Sequence, residues 1–431
     1  MLGAFANAFR TPDLRRKLLF VVFVIALFRL GSQVPAPGVN VANVQSCLNT
    51  VENNGLYTLI NLFSGGALLQ LTIFALGIMP YITASIILQL LVVVIPRLEA
   101  LKKEGQAGQT KITQYTRYLT LGLALLQATG IVALARSGGL IQGCQQSLLY
   151  DDRMVTFLVM VVTMTAGTAV IMWLGELITE RGIGNGMSLL IFTQVISGFP
   201  SSMWAVQKAQ GWLVFALVIA VGLVVVAAVI FMEQGQRRIP VQYARRMVGR
   251  KMFGGSSTYI PLKVNQAGVI PVIFASSLMY LPALAAQFNQ NSDSVWVRWV
   301  NDYLVRGSHP LYMIGFFLLI VFFTYFYVSI TFNPEEVADN MKKYGGFIPG
   351  IRAGRPTEEY LAYVLARITL PGALYLGTVA LLPLIAFVLV NANSNFPFGG
   401  TSLLIMVGVA LDTVKQIESQ LQQRNYEGFL R

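Results

Sequence analysis

The chain has 431 residues, 55% hydrophobic and 12% charged, with a formal net charge of +12. Soluble domains carry about 25% charged residues, so the composition excludes an ordinary soluble enzyme and points to a polytopic membrane protein. One histidine and two cysteines are too few for a zinc or haem cluster.

Taken in order, apolar stretches predict ten spans, at 18–34, 73–95, 115–135, 154–176, 187–205, 212–232, 267–286, 311–332, 366–390 and 401–415. The first follows Arg15-Arg16-Lys17 without a small-residue cleavage site behind it, and reads as a retained span rather than a signal peptide. With the N-terminus inside, most Lys and Arg fall in inside loops, which orients the chain with both termini cytoplasmic. Cys47 and Cys144 then both lie outside. They can pair in an oxidising compartment or remain two separate thiols.

The stretch 55–95 holds two helical pieces of unequal length. Residues 73–95 are long enough to span, with Gly77 and Pro80 expected to loosen the helix locally. Residues 56–63 make about two turns before Ser64-Gly65-Gly66 stops them. So short a piece cannot satisfy its ends in lipid and must sit inside protein or line a wet cavity. A short broken helix beside a spanning one suggests a channel or transporter.

Five spans precede Gly211 and five follow it, so a repeat of the halves must be inverted. Gly77-Ile78-Met79-Pro80-Tyr81-Ile82 in the second span has a weak echo in Gly268-Val269-Ile270-Pro271-Val272-Ile273 of the seventh. Inverted repeats place the working site at the midplane between halves.

Two inside loops are long. Residues 233–266 carry seven Lys/Arg, and within them RRIPVQYA and STYIPLKV can pair as strands across Gly254-Gly255. Residues 333–360 contain GGFIPGIRAGRPT, rich in turn formers. Such loops set topology and bind anionic lipid, or form a docking face for an acidic partner or RNA phosphate. The run Arg181-Gly182-Ile183-Gly184-Asn185-Gly186 follows a membrane helix rather than a strand, so it reads as a flexible turn and not a dinucleotide loop.

Ionisable residues in the spans are few and lie near ends: Arg29, Glu176 and Asp412. Thr83, Gln89, Gln127 and Gln194 are uncharged and suit helix–helix hydrogen bonding. An apolar midplane can seal by dewetting and suits a conduit for large, varied cargo. The rival reading is a secondary transporter that needs Glu176 and Asp412; a membrane enzyme lacks the residues for its chemistry.

At this point the chain resembles the SecY family, channel subunits of the bacterial protein translocase. The resemblance rests on NLFSGGAL (61–68), IFALGIMPYITASII (73–87), KKEGQAG (102–108), QYTRY (114–118), WLGELITERGIGNGMSLLIF (173–192), EQGQRRIPVQYARR (233–246), PLKVNQAGVIPVIFASS (261–277), FNPEEVADN (332–340), FIPGIR (347–352) and FGGTSLLI (398–405), in order along nearly the whole chain. Position 353 departs: the family commonly has proline there and this chain has alanine.

The resemblance implies an all-α polytopic fold of ten transmembrane helices in two inverted five-helix halves, 1–205 and 206–431, around an hourglass pore in the plasma membrane. It implies a plug helix at 56–66, with Leu56, Ile60, Phe63, Ser64, Gly65 and Gly66, the glycines serving as hinges. A pore ring falls on Ile78, Ile82, Ile191, Ile273 and Ile405. Thr83, Gln127 and Asn265 match a polar cluster at a lateral gate flanked by spans two and seven. Arg245, Arg246, Arg250, Lys251 and Arg352 match the docking surface for the SecA motor or the ribosome. Implied partners are the SecE and SecG subunits, SecA, the ribosome, signal peptides, nascent membrane proteins and anionic lipids. No cofactor and no catalytic residue is implied.

Overall fold

The computed structural model describes residues 9, 11–50, 67–68, 70–136, 147–151, 153–243, 246–248, 251–253, 257–288, 295–300, 303–304, 309–390 and 400–429. The helices are α1 (Pro12–Gly31), α2 (Val41–Thr50), α3 (Met79–Val94), α4 (Pro96–Lys103), α5 (Gln106–Arg136), α6 (Met154–Arg181), α7 (Gly186–Gln234), α8 (Ile270–Phe288), α9 (Val295–Val300), α10 (Pro310–Thr331), α11 (Pro334–Lys343), α12 (Arg355–Val390) and α13 (Gly400–Phe429). By length and apolarity, 5 of the described helical segments can cross a bilayer by themselves, and α3 with α4 counts as a sixth, bent by 98°. The other expected spans hold helices that are shorter or more polar. Helix α7 contains spans five and six, broken at Gly211, whose φ of 81° and ψ of 179° no helix accommodates.

The second span departs from expectation. Residues 73–78 are turns, and the helix starts only at Met79. Pro80 lies in its first turn, where a missing N–H costs nothing, so it starts the helix rather than loosening it. Gly77, at φ 56°, makes the left-handed step before it. Helix α2 falls where no element is expected; its Val44 and Cys47 join Leu71 and Leu148 in a second buried cluster, and Cys47 is disulfide-bonded. Cys144 lies outside the described residues.

Packing follows sequence chemistry. Helix α5 buries Thr116, Thr120, Ala124 and Ala128, a stripe of small residues at four-residue spacing that lets neighbouring backbones approach. The hydroxyls of Thr116 and Thr120 donate to carbonyls one turn back, at 3.0 and 2.7 Å, so no donor is stranded in lipid. The largest buried cluster joins α1, α3, α6, α7, α8, α10, α12 and α13.

In the first of the two long loops the two expected strands pair antiparallel: β1 (Gln236–Tyr243) with β4 (Ser257–Lys263). They do not meet across a simple turn. A second small ladder, β2 (Arg246–Val248) with β3 (Lys251–Phe253), lies between them. Strand β5 (Gly346–Phe347), from the other long loop, pairs with the far edge of β1. The two loops therefore form one platform with a core of Ile239, Val241, Leu262, Met341, Ile348, Leu361 and Val364.

Candidate channel and gate

Ile78 lies in the turn before α3, Ile82 on α3, Ile191 on α7, Ile273 on α8 and Ile405 on α13. These elements bring all five side chains into the same buried hydrophobic cluster, with exposures of 2, 7, 6, 6 and 0% respectively. Helix α8 touches both α3 and α5, so the seam between spans two and seven is closed.

The ends of the seam are built alike. Before α3, the amide of Ile73 donates to Val34 at 2.9 Å. A Cβ on Gly167 of α6 would overlap the Ile73 carbonyl, and Gly77 is left-handed. Before α8, the amide of Val264 donates to Gly235 at 2.9 Å. A Cβ on Gly372 of α12 would overlap the Val264 carbonyl, and Gly268 is left-handed at φ 61°. In each case the bonded amide lies four residues before the glycine, and Ile82 and Ile273 follow five residues after it. The echo seen in the sequence thus has a counterpart in backbone geometry.

The side chains differ. Phe74 stacks on Phe28 of α1, with ring centroids 5.9 Å apart. At the matching position, Asn265 donates through Nδ2 to the Glu233 carboxylate and, at 3.0 Å, to the carbonyl of Gly268. Glu233 is 8% exposed and Asn265 2%. A sixth span at 212–232 leaves Glu233 in the loop that follows. Its position one residue beyond that span was the only available signal.

The other gate positions do not join Asn265 through a hydrogen bond. Thr83 is buried and donates to Met79 in its own helix at 3.0 Å. Gln127 is half-buried on α5, with no hydrogen bond among the described residues. Of the charges expected to snorkel, Arg29 donates to the Ser197 hydroxyl at 3.0 Å. Glu176 pairs with Arg117 at 2.8 Å, and Asp412 is exposed. The turn at 181–186 is structured rather than loose: Asn185 caps α7 by accepting from Met187 and Ser188. Gly186 lies so close to Gly175 that a Cβ would overlap its carbonyl.

All named plug residues, Leu56, Ile60, Phe63, Ser64, Gly65 and Gly66, lie outside the described residues, as do Arg245 and Arg250. The backbones of Arg246 and Lys251 run in β2 and β3. Arg352 is exposed beside β5, and its carbonyl accepts from the buried Thr357 hydroxyl at 2.8 Å. On the sheet of the platform, Arg238 of β1 lies over the Tyr259 ring of β4, 4.8 Å from its centroid, an exposed cation–π contact.

A sequence model of the SecY family matches residues 72–414. Curated relatives include "Protein translocase subunit SecY" of Streptomyces galbus, 67% identical over 438 aligned positions and covering 100% of both chains. The protein of the same name from Mycobacterium bovis is 60% identical over 442, again with full coverage. Among solved structures, "The structure of a protein conducting channel" aligns with a TM-score of 0.61 at 19% identity, covering 94% of this chain and 91% of that one. "Sec61 in the Canine ribosome-channel complex from the endoplasmic reticulum" aligns with a TM-score of 0.59 at 18% identity and the same coverages. The chain belongs to the SecY family of protein translocase subunits.

Proposed function

We infer that this multi-pass membrane protein is the central protein-conducting channel subunit of a Sec translocase. It exports unfolded secretory proteins across the plasma membrane and releases membrane-protein helices sideways through a lateral gate. The observation that carries this reading is the gathering of Ile78, Ile82, Ile191, Ile273 and Ile405 in one buried cluster. Branched aliphatic side chains converging from separate elements form a collar that an extended chain can pass and that excludes ions by dewetting. No group in it selects one solute.

In this reading the halves 1–205 and 206–431 open about the seam between α3 and α8. A segment of about 20 apolar residues leaves through the seam because transfer to lipid is favourable. The residues at 56–66 act as the plug. The protein itself hydrolyses nothing. The platform of β1–β5, with its exposed arginines, docks SecA or the ribosome by electrostatic steering; SecE, SecG and anionic lipid complete the assembly. The termini face the cytoplasm.

Photo-crosslinking tests the reading without disturbing Cys47. A benzoylphenylalanine at position 82, 191 or 273 should crosslink to a secretory chain stalled during export and should not crosslink in the idle channel. Intact export with no adduct at any of the three positions would place the cargo elsewhere and overturn the assignment.

A further inference from the structure

We propose that Glu233 is a positioning residue for the lateral gate: its carboxylate holds Asn265, and Asn265 holds the turn from which gate helix α8 starts. This rests on the channel reading above.

The geometry is specific. The Asn265 amide spends Nδ2 on two acceptors, the Glu233 carboxylate and the Gly268 carbonyl. Its Oδ1 is buried with no hydrogen-bond partner among the described residues. Rotating the amide would set Oδ1 against both acceptors, so the orientation is determined by its surroundings. Gly268 lies in the left-handed region, and Ile273 of the collar follows five residues later. The segment is also fixed from behind, where Gly372 of α12 abuts Val264 and the Val264 amide donates to Gly235. The charged groups that act on Glu233 are Asp412 on α13, Lys263 on β4 and Lys415 on α13.

A buried carboxylate and a half-satisfied amide are a poor choice for pure stability, because both lose water and only part of that loss is returned. They suit a positioning contact. Both residues lie on the 206–431 side of the seam, so the pair does not bridge it; it fixes the turn before α8, and through that turn the place of α8 against α3 and α5.

The test uses the full translocase in membranes, with spin labels at Val93 on α3 and Leu278 on α8, both exposed. In the idle channel, Glu233→Leu should raise the long-distance population about tenfold, the effect of losing one buried hydrogen-bonded pair on a two-state equilibrium. Export of a cargo with a weakened signal should rise in step. Glu233→Gln, whose amide oxygen can still accept from Nδ2, should restore the unsubstituted distance. Should Glu233→Leu fail to accumulate, Asn265→Asp decides the matter. It keeps the side-chain shape, removes both donors and sets two carboxylates face to face, and should shift the distance further. Unchanged distances in Glu233→Leu or in Asn265→Asp would overturn the positioning role while crosslinking at position 82 leaves the channel reading intact. Absence of that crosslink in the unsubstituted protein removes the channel reading and this inference together.

Discussion

The approaches to α3 and α8 share one backbone plan and carry opposite side chains. Each has an amide donating at 2.9 Å to the chain that leaves the preceding span. Each has a carbonyl pressed against a helix glycine and a left-handed glycine just before the gate helix. At the first approach the matching side chain is Phe74, stacked on Phe28 and packed over Gly31. At the second it is Asn265, bonded to Glu233. The lesson is that backbone geometry, which needs only glycine at two points, can repeat while side chains set how firmly each approach is held. The first approach is held by ring stacking and the second by hydrogen bonds.

The comparison breaks most severely at Phe74. Phe74→Ala removes the stack and leaves a cavity beside Gly31; such core truncations cost about 3–5 kcal/mol. Thermal unfolding in detergent should show the loss, together with reduced accumulation in membranes. The shared backbone plan is sharpened by pairing Gly167→Ala with Gly372→Ala. Both new methyl groups would meet a carbonyl oxygen that cannot move aside, and each should cost about 1–3 kcal/mol by overpacking. A large difference between the two would show that the approaches are not equivalent.

Gly268→Ala separates conformation from contact. A Cβ there meets nothing within 4 Å, so only the left-handed backbone penalty remains, about 1–2 kcal/mol. The smallest effect is expected away from both approaches. The Arg117–Glu176 pair has side-chain exposures of 44% and 18%. Arg117→Ala should cost about 0.2–1 kcal/mol, discounted for solvent screening. Repeating the melt at high salt should shrink the difference between Arg117→Ala and the unsubstituted protein.

Much of this was legible in the amino-acid order. Runs such as 154–176 and 311–332 are apolar on every face, and a chain in lipid must close its backbone bonds within each run. Long apolar runs therefore announced helices with few competing readings. The strand pair RRIPVQYA and STYIPLKV was legible for a similar local reason, as β-branched and aromatic residues bounded by glycine. The five isoleucines of the shared cluster rest on resemblance, not on pattern, because an isoleucine facing a pore and one facing a neighbouring helix look the same in sequence. The start of α3 at Met79 was misplaced because apolarity continues unbroken through 73–78, whereas helicity depends on a left-handed glycine that hydropathy does not register.

The sequence by itself determined that the chain lies in a membrane and where most of its helices run, and its ordered motifs carried the family resemblance. The first two follow from composition and run length, which act locally or through the bilayer. Only the tertiary structure decided that Glu233 is buried and bonded to Asn265, that β5 joins two distant loops into one platform, that Glu176 is neutralised by Arg117, and that α8 closes against α3 and α5. Each of those depends on residues far apart in the chain, and their meeting is set by how the helices pack rather than by any property either residue carries alone.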